Sequence, residues 1–368
     1  MPSARRYLTV RSRGSARRGY GDGVETDTPT QRPLKQEQEP ASDAVTEVAP
    51  GILRMQLPID MPGLGHVNTY VLSDERGVAL MDPGLPGEAS WNALVDRLAS
   101  IDLSPADVHT VFVTHGHPDH FGLAPRLAAE NDDLELIAHE AFAAGWRAAD
   151  GEELILLDVD VEDIVPNAFD GTTPWGATWD RPRTMSVDFQ RPRPTRFVRD
   201  REPVRLAGRE MFIVHSPGHT LDHVCLHDPD EGILFSGDHI LPSITPHISG
   251  LGSGRDPLDL FDEALARVGG MTGIDLVLPA HGHPFTDLSG RAEAIRAHHH
   301  ERLLKLRSVS VDIGPATVEA LSHHLFREAH WGRMAESETY AHLEHLRLAG
   351  LAERMGEGTA MVYELAAP

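Results

Sequence analysis

A single cysteine, Cys225, is all that 368 residues contain. An intramolecular disulfide is therefore excluded, as is any cysteine-rich zinc finger, and the composition suits a reducing compartment. Long apolar runs are missing too: no stretch approaches the roughly 18 residues a membrane helix needs, so no membrane partner is expected. Basic charge is scarce, with 33 Lys and Arg against 56 Asp and Glu and a formal charge of −23. A surface of that sign repels phosphate backbones, so a nucleic-acid partner would require a local basic patch. No internal repeat is seen. Six arginines fall within the first 18 residues, yet no apolar segment follows Arg5-Arg6 or Arg17-Arg18. An export signal is therefore not expected, and the cytoplasm is the expected location.

What is present divides the chain into three parts. Residues 1–45 are rich in Pro, Gln, Glu, Thr and Ser with few large apolar side chains, and read as a disordered tail. Residues 46–290 alternate strand-like and helix-like runs. "GILRMQL", "HVNTYVL", "GVALMDPG", "HTVFVTH" and "LELIAH" predict strands; "EASWNALVDRLAS" and "HFGLAPRLAAEN" predict helices. That order predicts an α/β layered domain whose strands end in loops. Inside it, residues 143–203 are irregular and proline-rich and hold Trp146, Trp175 and Trp179. So long a stretch without periodicity predicts a functional or flexible insertion, its tryptophans forming a lid over an apolar substrate or a small core of their own. Residues 291–368 begin a different region: three helical patterns, then "AERMGEGTAMVYEL" as a hairpin.

The chain also has 22 histidines, more than packing requires. "VFVTHGHPDHFG" sets His115, His117, Asp119 and His120 in a loop between a strand and a helix, where side chains can converge on one point. Three further strand ends supply His219 in "SPGHT", Asp238 in "SGDHI" and His281 in "LPAHGHP". Seven imidazole and carboxylate donors suffice for two ions with an open position on each. Gly218 and Gly237 let the backbone turn sharply before two of these ligands. Other histidines read differently. Consecutive helical residues point in different directions, so His298, His299 and His300 cannot all meet one ion. With His323, His324, His342 and His345, they are read as packing residues. His283 is expected at a cleft rim, and Cys225 as a buried thiol in a core strand.

In order, "MDPG" around Asp82, "THGHPDH", "SPGHT", "SGDH" and "PAHG" resemble the metallo-β-lactamase superfamily over about residues 50–290. The resemblance implies an αββα sandwich and a binuclear metal-dependent hydrolase. It implies His115, His117 and His219 on a first metal, Asp119, His120 and His281 on a second, and Asp238 bridging the two. A metal-bridging hydroxide is then the nucleophile, and Asp119 the catalytic carboxylate that accepts its proton. Zinc is the expected ion pair, with iron or manganese as alternatives. Asp82 resembles the family's buried carboxylate that fixes the first loop, and His223 a structural partner rather than a ligand. The corresponding loops in relatives make His66, Asn68 and His247 candidate substrate contacts, the alternative being plain structural or loop roles.

The helices and hairpin over 308–365 resemble the small winged helix of the β-lactamase-like protein 2 group, which includes a ribonuclease and thioesterases. A nucleic-acid footprint is absent, however. Arg327, Arg333, Arg347 and Arg354 face Glu319, Glu328, Glu336, Glu338, Glu344, Glu353, Glu357 and Glu364. The module is therefore expected to cap the substrate cleft or form a homodimer contact. Since β-lactamases of the superfamily are secreted and often use a cysteine ligand where Asp238 stands, antibiotic hydrolysis is not the expected role. The implied activity is hydrolysis of an acyl bond, a thioester or lactone, in a small molecule. The alternatives on the same loops are a mononuclear-iron persulfide dioxygenase and a metal-dependent ribonuclease.

Overall fold

Strands apolar and buried on both faces assemble two sheets into a sandwich. The computed structural model describes residues 34–61, 63–145, 192–248, 256–356 and 361–368. The first sheet runs in sequential order through β1 (Thr46–Ala49), β2 (Ile52–Met61), β3 (Leu64–Asp74), β4 (Gly77–Met81), β5 (Val108–Phe112), β6 (Glu135–His139) and β7 (Arg196–Val198). Its first four strands pair antiparallel, and β4 to β7 pair parallel. The second sheet is ordered β12 (Leu276–Pro279), β11 (Ile233–Gly237), β10 (Val224–Asp228), β9 (Arg209–His215), β8 (Pro203–Leu206). There β11 and β12 are parallel and the other pairs antiparallel.

Parallel neighbours require crossover connections. These are α1 (Glu88–Ala99) before β5, α2 (Pro118–Phe121) with α3 (Ala124–Glu130) before β6, and α4 (Pro257–Gly269) before β12. Successive strand side chains point to opposite faces, and the buried clusters obey that rule. On β3, Tyr70 and Leu72 join the core shared with Ile213, Val224, Leu226 and Phe235 of the second sheet. Val67 and Val71, one residue out of phase, pack instead under Trp91, Leu94 and Leu98 of α1. On β11, Phe235 faces the first sheet while Leu234 faces Phe261 and Leu265 of α4. Helix, sheet, sheet and helix therefore stack in the expected αββα order.

The long helix α5 (Leu288–Ile313) ties this sandwich to the C-terminal helices and their small sheet. Its first turns place Leu288, Ala292 and Ile295 in the outer core of the second sheet. Leu306 belongs to a separate cluster with residues of α6 (Val318–Leu325), α7 (Arg333–Leu348) and a three-stranded sheet ordered β13 (Ala316–Thr317), β15 (Val362–Leu365), β14 (Ala352–Met355). The expected boundary after residue 290 thus falls in the first turn of a continuous helix. Among the described residues, no helix is long and apolar enough to cross a membrane.

The tail expected over 1–45 is shorter at its C-terminal side, because a short 3-10 turn at Gln36–Gln38 carries Glu37 to full burial. Glu37 Oε1 accepts the backbone N–H groups of Ser243, at 2.6 Å, and Ile244, at 3.0 Å, which offsets the cost of burying the charge. The expected insertion over 143–203 lies mostly outside the described residues, including Trp146, Trp175 and Trp179.

Candidate metal centre

The loops after β5, β9, β11 and β12 meet at one edge of the sandwich. Donor atoms of His115, His117, His219 and Asp238 lie within 4.8 Å of one another, as do those of Asp119, His120 and His281. Asp238 stands between the sets: Oδ2 is 3.5 Å from His219 Nε2 and 3.6 Å from His120 Nε2, while Oδ1 is 3.3 Å from His281 Nε2. Asp119 Oδ2 is 3.5 Å from both His120 Nε2 and His281 Nε2. All seven are buried except His117, which is partly exposed.

Tight backbone turns make this convergence feasible. Gly218 has φ 130°, and a Cβ there would lie 2.4 Å from that of Phe261. Gly237 has φ 50°, and a Cβ would lie 2.6 Å from His223 Nε2. That nitrogen accepts the backbone N–H of Asp238 at 3.0 Å, so His223 holds the central carboxylate through its main chain. Nδ1 of His223 is then the protonated nitrogen and donates to Ser216 Oγ at 2.8 Å. Asp82 takes up a left-handed φ of 53°, which Asp tolerates better than most residues.

Outer hydrogen bonds decide which ring nitrogens carry protons. Asp82 Oδ2 can only accept, so His120 donates to it from Nδ1 at 2.9 Å. The carbonyl oxygens of His66 and His247 likewise accept from Nδ1 of His281 and His219, both at 2.7 Å. The Thr114 hydroxyl donates to Asp82 Oδ2 at 2.8 Å, leaving its oxygen to accept from His115 Nδ1 at 3.0 Å. In each of these four rings, then, Nε2 is left as a lone pair aimed inward. His115 Nε2 and His219 Nε2 both lie 3.0 Å from His117 Nδ1, which holds at most one proton to share between them. His120 Nε2, His281 Nε2 and Asp238 Oδ1 are buried without any hydrogen-bond partner. With the rings neutral, these are buried acceptors facing acceptors, which is costly, and a bound cation would satisfy them.

The electrostatics agree. Burial pushes His115 well below the ordinary imidazole range, and His117 down to about 3. Burial raises the carboxyl groups of Asp119 and Asp238, but neighbouring imidazoles overcome it, holding Asp119 at about 2 and Asp238 well below the usual range. Burial also opposes charge on His120 and His281. Asp119 and Asp82 overcome it at His120, and Asp238 at His281, so both rings are raised: without an ion they favour a proton at the site, a charge that a bound cation would replace.

Of the candidate substrate contacts, two are fully buried. His66 is fully buried; its Nδ1 lies 2.8 Å from the Glu39 carbonyl, and its Nε2 accepts from Gly282 N–H at 3.2 Å. Asn68 is also fully buried, and its Nδ2 donates to the carbonyls of Pro279 and Gly282 at 2.8 and 2.9 Å. Asn68 clamps the backbone on either side of His281 and His66 the side after it, and the polar atoms of both side chains are engaged within the protein. His247 is half-buried beside His219, with Nδ1 3.4 Å from Glu338 Oε2. His283 contacts Glu39 at 2.9 Å and stays off the donor sets. His299 and His342, read as packing residues, face each other across α5 and α7 at 3.1 Å. Sequence reading missed Thr114, Glu37 and Glu338. The Thr114 hydroxyl had a signal in its place beside His115; nothing local marked the two glutamates.

The Metallo-beta-lactamase superfamily model matches residues 62–297, and the chain belongs to that superfamily. A solved β-lactamase domain protein from Burkholderia ambifaria is 29% identical, with a TM-score of 0.72 over 89% of this chain and 96% of that one. The "Probable metallo-hydrolase YqjP" of Bacillus subtilis (strain 168) is 23% identical over 82% of this chain and 94% of its own length. The human acyl-coenzyme A thioesterase MBLAC2 is 32% identical over 149 residues, covering 40% of this chain and 47% of that protein. The atrochrysone carboxyl ACP thioesterase nsrC of Aspergillus novofumigatus (strain IBT 16806) is 26% identical over 67% of this chain and 59% of its own. Fold, donor sets and relatives together make this protein a metal-dependent hydrolase.

Proposed function

We propose that the protein hydrolyses an acyl bond, a thioester or a lactone, in a small molecule, with two divalent metal ions held by the two donor sets. The observation that carries this reading is the pair of inward-facing sets sharing Asp238, whose Oδ2 lies 3.5 Å from His219 of one set and 3.6 Å from His120 of the other, with Oδ1 3.3 Å from His281. Thioester chemistry is supported by the names of two relatives, MBLAC2 and nsrC. His115, His117 and His219 would hold one ion, and Asp119, His120 and His281 the other. Zinc suits histidine and carboxylate donors, as do iron and manganese. Such ions supply Lewis-acid polarisation of the acyl oxygen and acidify water.

The chain's own residues do the rest. Asp119, ionised and 3.5 Å from two imidazole nitrogens, orients the attacking water and takes its proton at Oδ2 as the water oxygen bonds to the acyl carbon. The acyl C–S or C–O bond then breaks, the proton passes to the leaving thiolate or alkoxide, and the acid product departs. Asp82, His223 and the His66 and His247 carbonyls keep the donors aimed. His247, half-buried at the margin, is the substrate contact the fold leaves available. The C-terminal helices and three-stranded sheet are read as a winged-helix-like cap on the catalytic domain, in keeping with a small-molecule substrate rather than nucleic acid. A one-iron dioxygenase needs the first set alone, and the three further donors of the second favour the two-ion hydrolase.

The test is to load the full chain with zinc and offer acyl-coenzyme A thioesters and acyl lactones, monitoring thiol release and acid production. Turnover of one class is expected, lost in Asp119→Ala while circular dichroism stays unchanged. No turnover of either class, with oxygen uptake on glutathione persulfide or cleavage of single-stranded RNA instead, overturns the reading.

A further inference from the structure

Between Asp238 and His247 the chain is irregular and makes no strand ladder. Its path is held from outside, by side chains of the N-terminal segment and of the C-terminal helices. Glu37 binds the N–H groups of Ser243 and Ile244. Arg291, on α5, donates to the carbonyls of Leu241 and Ile244, both at 2.6 Å. At the far end Glu338, on α7, places Oε2 3.4 Å from His247 Nδ1, while Oε1 accepts from Arg302 Nη1 of α5. Glu338 is only 8% exposed. Burial raises its carboxyl, but His247 and Arg302 overcome that and hold it below the usual carboxylate range. The main chain of that same His247 receives Nδ1–H of His219 at 2.7 Å.

We propose that Glu338 is a positioning residue for the first donor set: by anchoring His247, it fixes the carbonyl oxygen that sets the tautomer and direction of His219. The inference rests on the two-ion reading above and gives the C-terminal module a specific task within it. The second set has different supports, Asp82 for His120 and the His66 carbonyl for His281. Loss of the Glu338 contact therefore weakens one ion and spares the other. Outer partners of metal ligands commonly change affinity by about 10–100-fold.

The experiment monitors zinc transfer from the full-length, zinc-loaded protein to the chromogenic chelator 4-(2-pyridylazo)resorcinol, comparing wild type, Glu338→Gln, His247→Ala and the double variant. One release phase should accelerate about tenfold or more in each single variant and the other phase should not change. The double variant should be no faster than the singles, because both act through one contact. Thermal midpoints and circular dichroism report any general loosening. Equal acceleration of both phases, additive effects, or unchanged release in Glu338→Gln overturns the proposal. Should Glu338→Gln fail to fold, His247→Ala, which removes a half-buried ring, decides: unchanged release there overturns the clamp. A wild-type chain that takes up no zinc overturns the two-ion reading and the clamp together, whereas unchanged release from a fully loaded chain overturns the clamp alone.

Discussion

Asp82 and His120 are 38 residues apart in sequence and 2.9 Å apart in the fold, with Asp82 Oδ2 accepting Nδ1–H of His120. The same carboxylate receives the Thr114 hydroxyl and, through Oδ1, the Thr114 backbone N–H, both at 2.8 Å. One buried acid thus orients a ligand of each donor set, His120 directly and His115 through Thr114. Asp82→Asn offers an amide where two donors need an acceptor. Zinc affinity measured by chelator competition should drop about 10–100-fold. Unchanged affinity would mean that Asp82 only braces the loop.

Asp119 is argued to move a proton as well as to hold an ion. Asp119→Ala should lower kcat/KM by at least about 10²–10⁴-fold, the range of positioned proton transfer. Circular dichroism should match wild type, since Asp119 belongs to none of the apolar core clusters. Retained activity would remove Asp119 from the mechanism.

The reassignment of Asn68 has its own consequence. A substrate-contact residue changes KM when replaced and leaves stability alone. Asn68→Leu instead removes the amide donor shared by the carbonyls of Pro279 and Gly282, leaving them only the Tyr70 hydroxyl and Arg54 Nη1, and should cost about 1–3 kcal/mol in a urea titration. A variant as stable as wild type with altered KM would restore Asn68 as a substrate contact.

Buried neutral imidazoles make the fold acid-sensitive. Burial pushes His139 and His299 down to about 3 and His342 to about 4. In the unfolded chain each titrates near 6.5. Between those limits the unfolded state binds more protons, so stability declines as pH falls from about 6.5 toward 4. Urea titrations at several pH values should show that decline, and His299→Gln should flatten it. An identical slope in the variant would contradict the assignment of a neutral His299.

The metal loops were legible because their donors are crowded at strand ends: HxHxDH is dense, and SPGHT, SGDH and PAHG each come after a predicted strand. Layering was legible for a similar reason, since two-residue alternation in β3 and β11 sorts each side chain to one of two faces. His66 and Asn68 misled because residues near a cleft loop resemble substrate contacts until burial is known. Glu37 and Glu338 were invisible because their partners, Ser243 and His247, lie 206 and 91 residues away. A lone glutamate on a helix or in a polar segment reads as solvated surface. His299 and His342 were read as packing residues, yet their pairing depended on how α5 crosses α7.

The most direct test of the two-ion account is the metal content of the full chain, purified without a histidine tag or added metal and measured by mass spectrometry. About two zinc or manganese ions per chain are expected, falling to about one in His120→Ala. A single iron per chain, unaffected by that substitution, would contradict the account.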